Sequence, residues 1–161
     1  MPETRLTTAD TLQSIVHLLD QSARLDDNNR SAILVRVDRL PEGPDDEVQF
    51  SLKPLPPGMH PLEVLDGFIA PLDWAAVGVV ARGKVRQLDD VGGPGTAPQQ
   101  GTVVAIVARD GTRVGGIRVG DGPLLLDVAG PNDPVYGEIA LALCRAVGVP
   151  AVAGKPEGAT S

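Results

Sequence analysis

The chain has 161 residues, 42% of them hydrophobic and 22% charged, with a net charge of −7. That is enough apolar material for one domain with its own core and no disulfide staples, and the single cysteine, Cys144, excludes an intramolecular disulfide or a cysteine-rich metal site. The sign of the charge disfavours general binding to nucleic-acid phosphates, which need a positive field.

Residues 8–24, "TADTLQSIVHLLDQSAR", predict a helix. Leu12, Ile15, Val16, Leu19 and Ala23 share one face, Thr7 or Thr8 can cap, and Asp10 sits in the first turn. "SAILVRVDRL" (31–40) and "DEVQFSLKPL" (46–55) predict a strand hairpin, with Val48, Phe50 and Leu52 alternating against polar residues. A short second helix follows within 56–71, with Pro61 in its first turn and an end near Gly67 or Pro71. Strand character returns over 75–88. "DDVGGPGTAPQQG" (89–101) is dense in Gly and Pro and predicts a flexible loop, read as a hairpin tip in preference to a lid.

"TVVAIVARDGTRVGGIRV" (102–119) predicts two strands around Asp110-Gly111, a dipeptide that favours a type I′ turn. Residues 123–130 add another strand. The last helix falls within 132–150, with Asp133 as cap and Gly148 as stop, and Val135, Ile139, Ala142, Leu143 and Val147 as its buried stripe. The tail, 151–161, has no periodicity and is expected to be disordered.

The expected architecture is therefore a single α+β domain over 1–150. Its order is α-β-β-α-β-β-β-β-α, with three helices against a mainly antiparallel sheet of five to six strands. At the level of topology this order loosely resembles GAF, PAS and profilin-like domains. The resemblance implies a sensor or scaffold role and carries no site residues with it.

Several chemistries lack their residues. There is no P-loop or dinucleotide-binding fingerprint, so no cofactor is expected. No Gly-x-Ser-x-Gly elbow occurs, and Cys144 within an apolar helix reads as an inert buried thiol. Only four aromatic residues exist (Phe50, Phe68, Trp74 and Tyr136), too few for a base-stacking platform. His60, with Glu63 and Asp66, is the one weak metal candidate, and a metal-dependent hydrolase is the third functional expectation. No stretch has the roughly 20 apolar residues that span a bilayer, and the first ten residues lack a secretory pattern, so a cytoplasmic protein without membrane contact is expected. Arg outnumbers Lys 11 to 3, a bias consistent with a GC-rich, bacterial coding genome. Residues 1–80 hold 13 acidic and 6 basic side chains and residues 81–161 hold 8 of each, so the net negative charge lies in the first half.

The stretch from Gly67 to Asp90 carries the binding candidates. Trp74, the only tryptophan, reads as a core plug over the sheet in preference to an exposed anchor. Arg82, Lys84 and Arg86 are two apart and fall on one strand face, expected to be the solvent face with Ala81 and Val85 inward. The leading expectation is a non-catalytic protein-binding or regulatory module that uses a sheet edge and the surface around Trp74. Its partner would be another protein or a second copy of the chain. The alternative is a small-molecule sensor with a pocket between sheet and helices near Phe68, Trp74 and the 89–101 loop.

Overall fold

Helix α1 (Thr8–Leu25) forms because its apolar residues recur on one stripe. Leu12, Ile15 and Val16 are fully buried and Leu19 nearly so, whereas His17 and Leu18 face outward. A computed structural model describes residues 8–25, 32–39, 48–56, 58–85, 99–120, 122–135 and 138–149. The turn expected at 41–46, most of the 89–101 loop and the 151–161 tail lie outside them.

The strands are β1 (Ile33–Arg39), β2 (Gln49–Pro54), β3 (Ala76–Val85), β4 (Gln99–Ala108), β5 (Arg113–Val119) and β6 (Leu125–Ala129). They form one sheet in the order β2-β1-β3-β4-β5-β6, every neighbouring pair antiparallel. The connection from β2 to β3 passes over β1 and contains α2 (Pro61–Leu65), and α3 (Glu138–Ala146) lies beside α2. α1 covers one face and α2 with α3 the other, so the protein is a single α+β domain in three layers.

Alternation along the strands divides the core in two. Val35, Val37, Ala76, Val80, Val104 and Ile106 pack towards α1. Leu34, Val77, Val79 and Val107 pack towards α2 and α3, with Leu143 and Cys144. Because both faces are covered, β3 and β4 read as nearly continuous apolar runs. Gly78 lies at the centre of this packing. A Cβ there would come within 2.7 Å of the Ala105 carbonyl oxygen, so the glycine lets β3 and β4 approach under α1.

Three local expectations change. The β4–β5 turn is not type I′, which needs positive φ at both central residues. Of the two, only Gly111 has it, at 96°, and no non-glycine among the described residues does. Arg109, Asp110 and Gly111 form the loop, closed by the Ala108 amide donating to the Thr112 carbonyl at 2.9 Å. The Asp110 carboxylate accepts from the Thr112 amide at 2.8 Å, which holds the aspartate in a turn that leaves the left-handed position to glycine alone. Burial pushes the Asp110 carboxyl up, but hydrogen bonds from Thr112 and Thr8 outweigh it and hold it below its ordinary value. Asp133 does not cap α3, which starts at Glu138; its carboxylate accepts from the Gly130 amide at 2.7 Å and closes a separate turn. Finally, β4 begins at Gln99, so the last three residues of the expected Gly/Pro loop belong to a strand.

Candidate functional site

Helix α2 is five residues long and ends where Gly67 turns the chain with a φ of 73°. The segment from Gly67 to Ala75 then returns to the sheet and carries Phe68 and Trp74. Their rings pair at 5.7 Å between centroids, tilted by 47°. Both are half-buried against the α2–α3 core. The outer side of the indole is met by Arg36 of β1, whose guanidinium carbon sits 5.0 Å from the ring centroid. Arg36 also pairs with Asp38 and lies 3.9 Å from Asp73. Trp74 thus contributes to the core with one side and is capped by a cation on the other.

The same segment exposes two large apolar side chains, Ile69 at 79% and Leu72 at 91%. Its backbone is held from below by Arg109, at the start of the β4–β5 turn. The Arg109 guanidinium donates to the carbonyls of Trp74 at 2.9 Å, Ala70 at 3.0 Å and Val147 at 3.0 Å, and also to that of Pro71. One planar fork therefore ties the loop to the end of α3. Nothing in the local sequence marks Arg109 for this role, because its partners lie 35 to 39 residues away in the chain.

Of the expected basic row, only the Arg82 side chain lies among the described residues. Arg82 has the strand parity of Ala76 and Val80, which pack towards α1, whereas Trp74 packs on the opposite face. Eight residues also separate them, a span of roughly 25 Å on an extended chain. Arg82 is half-buried, as is its neighbour Ala81. Across the sheet it pairs in register with Thr102, and Thr102 with Arg118. The Arg118 side chain donates to Asp20 of α1 at 2.8 Å, to the Gly120 carbonyl at 2.7 Å and to the Thr102 hydroxyl at 3.4 Å. Lys84 lies further along β3, opposite Gln100. Arg86 lies outside the described residues. Phe68 and Trp74 thus form one site, and Arg82 and Lys84 belong to another part of the sheet.

His60 caps α2, its Nδ1 accepting from the Leu62 amide at 3.1 Å. No group of three metal-binding side chains occurs among the described residues, so Glu63 and Asp66 do not complete a site around it. Burial pushes the Cys144 thiol up, opposed by the charge and hydrogen bonding of Arg113. A thiol so placed is protonated at neutral pH and poorly suited to act as a nucleophile.

An apolar recess of about 870 Å³ lies between β4–β6 and the start of α3. Val103, Ile117, Leu125 and Ile139 line it, with His60 and Leu62 at one side. Neither Phe68 nor Trp74 reaches it. No helix among the described residues is long and apolar enough to cross a membrane. No family model, curated protein or solved structure matches this chain.

Proposed function

We propose that this is a non-catalytic protein-binding module of the bacterial cytoplasm, which engages its partner through the Phe68–Trp74 loop. One observation carries the reading: Ile69 and Leu72 are 79% and 91% exposed on a segment whose carbonyls are fixed by Arg109. Large apolar side chains left in water on an ordered loop mark interaction surfaces. Because the loop is already held, little backbone entropy is lost when a partner closes over it. Phe68, Trp74 and Arg36 supply the aromatic and arginine surface that is enriched at energetic centres of interfaces. The complementary partner offers an apolar recess for Ile69 and Leu72, with basic groups towards Asp66 and Asp73.

The test is affinity capture from the native cytosol with the intact protein and with an Ile69→Ser/Leu72→Ser variant. Both side chains are solvent-facing, so the variant is expected to melt within a few degrees of the parent. It should lose the captured partner. Leu18→Ser, on the outer side of α1, should retain it. A partner captured equally by all three proteins would refute the loop as the contact.

The small-molecule reading has the apolar recess in its favour. That recess is open along its β6 side, where Leu125 is 66% and Ile117 44% exposed. Such a shape suits an extended segment better than an enclosed ligand.

A further inference from the structure

The two edges of the sheet are unlike. The β2 edge ends in Lys53-Pro54. A lysine charge and a proline without an N–H both discourage further strand pairing. The β6 edge, "LLDVA", has neither. Its inner side pairs with β5, and no strand among the described residues pairs with its outer side. Leu125 is 66% exposed and Val128 43%, so both faces of this edge present apolar side chains to solvent.

The edge continues into the apolar recess. Ile117 stands beside Leu125 in register, and Gly115 beside Asp127. A Cβ at Gly115 would have only the Val104 carbonyl oxygen nearby, at 3.8 Å. This glycine therefore leaves room on the floor of the recess.

Charge selects the occupant. Asp127 and Glu138 line the recess and are both exposed. The lining arginine, Arg113, is 6% exposed, and its guanidinium is turned to the carbonyls of Gly111, Asp133 and Pro134. The acids thus face an occupant and the arginine does not. A second copy pairing through β6 would bring these same acids towards each other.

We infer that the β6 edge and its recess take an extended segment of another protein as an added strand, apolar at alternate positions with a lysine or arginine opposite Asp127. Main-chain hydrogen bonds would supply the pairing, and the alternate side chains would enter the recess. The inference is independent of the Phe68–Trp74 loop, which lies elsewhere on the fold.

The experiment uses two soluble fluorescein-labelled peptides with the cores Val-Thr-Arg-Thr-Val and Val-Thr-Glu-Thr-Val, in which the valines and the charge share one face. Binding is read by anisotropy and by amide hydrogen exchange of β6, with peptide up to millimolar concentration. The arginine peptide should bind saturably and slow exchange along β6, and the glutamate peptide should bind about tenfold more weakly. Asp127→Lys should reverse that preference. Gly115→Val should weaken binding of the arginine peptide without lowering the melting temperature. If Gly115→Val proves misfolded, the reversal at Asp127 still decides. Equal binding of the two peptides, no protection of β6, an apolar dye held in the recess that neither peptide displaces, or a dimer in sedimentation that buries β6 would each overturn the inference.

Discussion

Asp20→Ala is expected to lower the unfolding free energy by about 3–5 kcal/mol, read from urea or thermal unfolding. The Asp20 and Arg118 side chains are only 8% and 11% exposed and meet at 2.8 Å. Removing the carboxylate leaves a guanidinium in the interior with two neutral acceptors, the Gly120 carbonyl and the Thr102 hydroxyl. The loss arises from the stranded cation and not from the pair being strongly favourable. Replacing both partners with apolar residues of similar volume, Asp20→Leu with Arg118→Met, should therefore recover most of the stability. A double variant as unstable as Asp20→Ala would show that the pair itself, and not its desolvation, holds α1 to β5.

Arg109→Ala is expected to cost about 2–4 kcal/mol and to release the Phe68–Trp74 loop. Four carbonyls lose a shared charged donor at once, those of Ala70, Pro71, Trp74 and Val147. Amide exchange should accelerate across residues 68–74 more than in β3 or β4. Arg109→Lys should recover only part of the loss, since an ammonium cannot span these acceptors as a planar fork does. If the loop is the partner contact, Arg109→Ala should also weaken capture although Ile69 and Leu72 are untouched. Faster exchange with undiminished capture would separate loop order from binding.

The elements were legible wherever their cause is local. The stripe Leu12-Ile15-Val16-Leu19 identifies α1, Pro61 marks the start of α2, and the apolar runs on either side of Asp110-Gly111 mark β4 and β5. Facing was harder to read. Alternation in β3 separates the row of Ala76 and Val80 from that of Val77 and Val79, but it cannot say which helix each row meets. The candidate site was legible only as far as Phe68 and Trp74. Its supports, Arg36 over the indole and Arg109 under the loop, come from other strands and leave no mark on the local pattern. Asp20 and Arg118 are 98 residues apart, and nothing in either neighbourhood points to the other. An arginine inside an otherwise apolar strand, as in "RVGGIRV", was the one available hint that a buried acid lay elsewhere.

Trp74 is the only tryptophan of the chain, and its ring contacts both Phe68 and the Arg36 guanidinium at the base of the exposed loop. The protein therefore carries an intrinsic optical reporter at the surface in question. Tyrosine contributes a single residue, so emission excited in the red edge of the absorption band comes from that one indole. A partner that covers Ile69 and Leu72, or a change that lifts Arg36 away, alters the polarity and quenching around the ring directly. Binding to this loop can be followed on the unmodified chain, without a label that would itself alter so small a surface.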